Sequence, residues 1–117
     1  MNDDLGGRRP VDAQIMHVVL VRWAQTAPSD VVERLDRAAT SVRDTVPGIV
    51  ELSHGPSVST EHLEQGYTYG LHVRFADAAA RDTYLPHPAH RPLSDLITTY
   101  ADAVLVFDLR AAGAVTA

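Results

Sequence analysis

The sequence predicts an α+β fold, a single antiparallel sheet of four strands with its helices on one face. Three observations lead there. Runs of β-branched or alternating apolar residues occupy positions 15–24, 49–55, 67–75 and 103–109. An apolar stripe with helical spacing fills the gap after the first run, and a second helical region broken by prolines fills the gap before the last. The order β-α-β-β-α-β is the ferredoxin-like arrangement.

The first run, IMHVVLVRWA, is apolar at nearly every position and suits a strand covered on both faces. From Pro28 onward, Val31, Val32, Leu35, Ala38, Ala39, Val42 and Val46 draw one stripe along a helix, with Ser29 or Asp30 as N-cap. The sequence VPG, ending at Gly48, stops it. IVELSHG and YTYGLHVRF alternate and read as strands two and three, joined by the polar loop PSVSTEHLEQG with Gly66 at the turn. His54 and His62 are assigned to loop surroundings and expected to be solvated.

Asp77 is placed to cap a short helix, AAARDTYL. Pro86–His87–Pro88 must end that helix, because proline removes a donor and restricts the residue before it. A last helix, roughly RPLSDLITTYA, and the strand AVLVFDL complete the order. Residues 1–14 and 111–117 lack periodicity and are expected to be flexible ends of a single domain at 15–110.

Helices cover only one face of such a sheet, yet the first strand is apolar on both. Met16, Val18 and Leu20 lie on one side, and Ile15, Val19, Val21 and Trp23 on the other. A wet apolar face of that size is uncommon in monomers, so the expected assembly is a homodimer with two sheets packed face to face. His72 and Arg74 point toward that partner.

Composition narrows the function classes. The net charge of −5, with arginines scattered singly, argues against a nucleic-acid partner, which requires a clustered basic face. No apolar run is long enough to span a bilayer, and the first residues lack a secretory pattern, so no membrane partner and a cytoplasmic location are expected. Without cysteine there is no thiolate nucleophile and no cysteine-bound metal. His87 and His90 are three apart, but a zinc site needs three or four ligands, so no metal and no cofactor are assigned. Neither a nucleotide-binding glycine loop nor a serine nucleophile elbow is present.

Chemistry concentrates in YLPHPAH, Tyr84 to His90, where prolines fold a phenol and two imidazoles together. On the residues alone, His90 is either an N-cap or wall residue or a general base, and Tyr84 either a core ring or a hydroxyl facing a cavity. His87 either fixes the turn or touches a substrate. His17 interrupts an aliphatic strand, as a satisfied core histidine or as a pocket wall. Alternation puts Tyr69 and Leu71 on the cavity side of strand three, and Trp23 shares the face of His17. Asp108, inside AVLVFDL, needs a partner or an open strand end.

YLPHPAH, together with HVVL at 17–20, PG at 47–48, EQGYTY at 64–69 and LVFDL at 105–109, resembles the stress-responsive dimeric α/β-barrel (Dabb) family. The resemblance spans nearly everything between Met16 and Leu109. It implies a dimeric α/β barrel. Through the shared Y-x-x-H-P-A-H pattern it also implies a likeness to polyketide cyclases, which close a linear poly-β-keto thioester by intramolecular aldol chemistry. Carried over, it makes His90 the general base, Tyr84 the hydroxyl that polarises a carbonyl, Asp108 the carboxylate oriented toward His90, and His17 a pocket wall.

The sequence departs from that pattern at Tyr69, where those cyclases carry histidine, and at Asp36 and Ala39, where they carry bulky aromatics. The expected function is a cofactor-free enzyme that enolises a polyketide-like or β-dicarbonyl substrate, leading to cyclisation or elimination. Its rivals are a non-catalytic small-molecule-binding or stress-responsive protein of the same family, and a cofactor-independent monooxygenase.

Overall fold

The computed structural model describes residues 13–111; the segments 1–12 and 112–117, which carry most of the two expected flexible ends, lie outside them. Ile15–Trp23 forms β1 and Val31–Thr45 forms α1. Ile49–Pro56 forms β2 and Tyr69–Phe75 forms β3. Ala78–Tyr84 forms α2, His90–Tyr100 forms α3 and Ala101–Arg110 forms β4. The strands lie in the order β2-β3-β1-β4 and every neighbouring pair is antiparallel, as the ferredoxin-like order predicts. The second helical region is two helices, divided at the prolines.

Alternation along β1 sends Ile15, His17, Val19 and Val21 to the helical side, where all four are buried. They meet Tyr69, Leu71, Val73 and Phe75 of β3, and α1 closes over them with Val31, Leu35, Ala39 and Val42. Leu93 and Ile97 of α3 complete the core. Each buried Val, Leu, Ile or Phe among them stabilises the fold by about 1.5–3 kcal/mol.

Asp30 occupies the N-cap of α1, but its carboxylate pairs with Arg34 at 3.1 Å instead of bonding a free backbone amide. Asp77 does cap α2, accepting from the Ala80 N–H at 2.8 Å. Several boundaries differ from expectation, three of them at element starts. β3 begins at Tyr69, not Tyr67. β4 begins two residues before its apolar run, because Ala101 still pairs with Trp23 across a register shift next to Arg22. His90 is the first residue of α3, where the sequence put it just before the helix.

Among the described residues no helix covers the outer face of the sheet. Met16, Val18 and Leu20 stand directly opposite Leu109, Phe107 and Leu105 of β4. These last three are 49%, 58% and 42% exposed, forming an apolar surface of the kind that joins subunits. On the helical side, Val104 and Val106 of β4 are exposed as well, because no helix fully covers this edge strand. No helix among the described residues is long and apolar enough to cross a membrane.

The turn between α1 and β2 is tightly constrained. Gly48 has φ +85°, and a Cβ there would lie 2.5 Å from the Ala80 Cβ of α2. Its carbonyl accepts the Ala76 N–H at 2.9 Å, tying the turn to the chain that leads into α2.

Two outcomes are expected. Phe107→Glu puts a charge in the outer apolar face and is expected to lower the sedimenting mass toward that of one chain, whereas the unaltered protein is expected to sediment as a dimer. Gly48→Ala is expected to cost more than the roughly 1–2 kcal/mol of left-handed backbone strain alone, because α2 must also shift; urea unfolding measures it.

Candidate active site

The site begins with how the chain turns between α2 and α3. Pro86 and Pro88 have no N–H, and the remaining donors wind the segment back on itself. His87 N–H donates to the Tyr84 carbonyl at 3.1 Å and His90 N–H to the His87 carbonyl at 2.9 Å. His87 Nδ1 accepts the Ala89 N–H at 3.0 Å, so this side chain holds the turn. The imidazole of His90 then swings onto Tyr84, with ring centroids 4.2 Å apart.

His90 Nδ1 lies 3.0 Å from the Leu85 carbonyl, which can only accept, so Nδ1 carries the proton of the neutral ring. The lone pair is therefore on Nε2. Tyr84 is 1% exposed, packed edge-on to His17 at 5.7 Å and against Phe75 at 5.0 Å. Burial penalises the phenolate and pushes the Tyr84 hydroxyl well above the ordinary value of about 10, which keeps it a hydrogen-bond donor.

His17 and Asp108 are direct cross-strand partners in the β1–β4 register. Their side chains meet at 2.7 Å, His17 Nδ1 donating to Asp108 Oδ1. The second carboxylate oxygen accepts from Arg81 of α2 at 3.0 Å. These bonds to Asp108, then those to Asp82, raise the already high pKa of Arg81, so a permanent cation stands behind the carboxylate.

The expected approach of Asp108 to His90 is not what the chain does: the carboxylate is engaged by His17 and Arg81, and His90 is braced by a backbone carbonyl. The reason is register, which places Asp108 on the strand beside His17, while His90 enters from the helical layer.

Tyr84, His90 and His17 line one cavity of about 290 Å³. Its remaining wall is mainly aliphatic, from Val19, Leu71, Leu93, Ile97, Val104 and Val106, with Ser94 and Thr98 on α3. His17 and Leu71 lie on its wall. Tyr69, Trp23 and His87 are not on this wall. His87 belongs to an outer hollow beneath the proline turn, which shares Leu85, His90 and Ser94 with the cavity. Trp23 packs against Tyr69, centroids 5.8 Å apart, at the other end of the sheet.

There a second polar chain appears that the sequence reading missed. Asp36 accepts from His54 Nε2 at 2.9 Å, and His54 Nδ1 meets the Tyr69 hydroxyl at 2.7 Å. His54 is thus a strand residue bridging α1 to β3, not the solvated loop residue expected. Alternation was the available signal, since His54 follows Leu52 at the period of a strand, on the side facing α1. Burial, then the charge of Asp36, raises the pKa of Tyr69. Among the described residues no group of three His, Asp or Glu side chains converges as a metal-holding set.

An antiparallel sheet with one helical layer, an apolar outer face and a phenol–imidazole pocket on the inner face defines a barrel-type ferredoxin-like domain. The model of the stress-responsive A/B barrel (Dabb) domain matches residues 15–111, and the chain belongs to this family. It is similar to the olivetolic acid cyclase of Cannabis sativa, 21% identical over 94 residues that cover 80% of this chain and 93% of that protein. Among solved structures, a dimeric ferredoxin-like protein from Jannaschia sp. CCS1 is 27% identical with TM-score 0.72, covering 84% of this chain and 99% of that one. A hydroxynitrile lyase from Passiflora edulis shares the fold with TM-score 0.79 at 13% identity, covering 92% of this chain and 100% of that one. The dimeric state of the Jannaschia protein agrees with the apolar outer sheet.

Alkaline titration tests the two shielded phenols. Of the four tyrosines, Tyr69 and Tyr84 are expected to ionise above pH 10 in the folded protein, read as delayed phenolate absorbance, with Tyr84→Phe removing one late component. The unfolded chain ionises these groups near pH 10 and the folded one later, so their contribution is complete below about pH 10 and is lost as pH rises further, lowering the urea midpoint.

Proposed function

We propose that the cavity is the active site of a cofactor-free enzyme acting on a polyketide-like or β-dicarbonyl substrate. The observation that carries this is the placement of His90, its proton held on Nδ1 by Leu85, 4.2 Å from a buried, protonated Tyr84 at the polar end of an aliphatic hollow. A substrate carbonyl oxygen accepts from the Tyr84 hydroxyl. His90 Nε2 then removes a proton from the α-carbon, and the electron pair of that C–H bond moves into an enolate stabilised by the same hydroxyl. The enolate attacks a second carbonyl carbon to close a ring, or expels a β-substituent. The imidazolium returns its proton to the alkoxide or to the leaving group.

The likeness to a polyketide cyclase supports the first outcome. The aliphatic wall accommodates a hydrocarbon portion; Asp36 and Ala39 of α1, expected to change the cavity's lining, lie instead in a separate hollow beside His54. The functional unit in this proposal is a homodimer joined through the outer sheet faces.

A second reading, ligand binding without turnover, has one observation in its favour: the carboxylate that the family resemblance sets behind His90 is engaged elsewhere. The two readings part under mutation. For an enzyme, His90→Ala and Tyr84→Phe each lower turnover of a poly-β-keto thioester by about 10²–10⁴-fold while its binding, measured by calorimetry, changes little. For a binding protein, wild type shows no turnover above buffer.

A further inference from the structure

The residue best equipped to move a proton in this cavity, after His90, is one the family pattern makes a wall. His17 is 5% exposed, and its Nδ1–H is committed to Asp108 at 2.7 Å. In the neutral ring that commitment leaves the lone pair on Nε2, and the ring itself lines the same hollow as Tyr84 and His90. The carboxylate behind it is steadied by Arg81 at 3.0 Å. A carboxylate that fixes a tautomer, orients the ring and stabilises the imidazolium formed on proton uptake is the arrangement of a general base and its orienter.

We infer that His17 is a second acid–base residue of this site, with Asp108 its positioning residue. This rests on the reading of the cavity as an enolising active site. The groups that face His17 are Asp108 from β4, Tyr84 from α2 and, across Tyr84, His90 from α3; β3 contributes the apolar Phe75. A carbonyl held at the Tyr84 hydroxyl has two α-carbons, and two imidazoles from different elements adjoin that hydroxyl's ring. Each serves one α-carbon. His17 Nε2 takes the α-proton, the C–H electron pair becomes the enolate, and the imidazolium returns a solvent-exchanged proton to the same carbon. The substrate class is accordingly one that is enolised on both sides of a single carbonyl, as the interior ketones of a poly-β-carbonyl chain are.

The probe is 2-heptanone in deuterium oxide, with deuterium uptake at its methyl and methylene α-positions followed by proton NMR. Wild type is expected to accelerate exchange at both positions. His17→Gln is expected to slow one of them at least tenfold and leave the other within about threefold, and His90→Gln to do the reverse. Asp108→Asn keeps the His17 ring in place, which guards against a folding artefact. It is expected to slow the same position as His17→Gln and to leave the other within about threefold, a selectivity that a general loss of structure would not give. If His17→Gln exchanges both positions at the wild-type rate, or if either substitution silences both positions together, the inference is overturned and the His90 reading stands. If wild type exchanges no faster than the His17→Gln/His90→Gln double variant, the enolising reading fails and this inference with it.

Discussion

A carboxylate facing the inside of a sheet has to be answered, and in this protein that requirement organises the site. Asp108 stands on the helical side of β4 with its side chain 30% exposed, and both carboxylate oxygens are bonded. Two groups answer it: His17 from the neighbouring strand and Arg81 from α2. Arg81 lies on the same short helix as Tyr84, so the bond that neutralises Asp108 also anchors the helix that presents the phenol. From Tyr84 the proline turn has only a few residues in which to reach α3, and so His90 arrives against the tyrosine ring. Charge pairing, helix placement and the meeting of phenol and imidazole form one chain of dependence.

Much of this was legible from periodicity. The order of elements, the buried face of β1, the alternation of β3 and the stop at Gly48 all follow from spacing and from two residue types with restricted or permissive backbones. YLPHPAH was legible as a site because prolines force proximity that is local in sequence. Strand register was not legible. Nothing in AVLVFDL says that Asp108 lies opposite His17, since the pairing depends on where β4 begins, and β4 begins by hydrogen bonding at Ala101 before its apolar run does. The family resemblance orients Asp108 toward His90, and the register pairs it with His17 instead. His54 went astray because its strand ends beside a long polar loop, and its partners Asp36 and Tyr69 come from two other elements.

The two networks sit at opposite ends of one helical layer. Asp108–His17 belongs to the apolar cavity, whereas Asp36–His54–Tyr69 bridges α1, β2 and β3 and presents its acid to water. In both, a histidine couples a carboxylate to an aromatic ring, by a hydrogen bond to Tyr69 and by edge contact with Tyr84. The first opens on the aliphatic hollow shared by Tyr84 and His90, whereas Asp36 and His54 of the second line a polar hollow with Arg43 and Ser53.

The bare outer sheet carries a thermodynamic consequence. A domain that leaves Phe107, Leu105 and Leu109 uncovered as a single chain completes its hydrophobic burial by association, so its folding free energy includes a bimolecular part. Its melting temperature then climbs with protein concentration, and dilution erodes the native population even when every bond inside the subunit is intact.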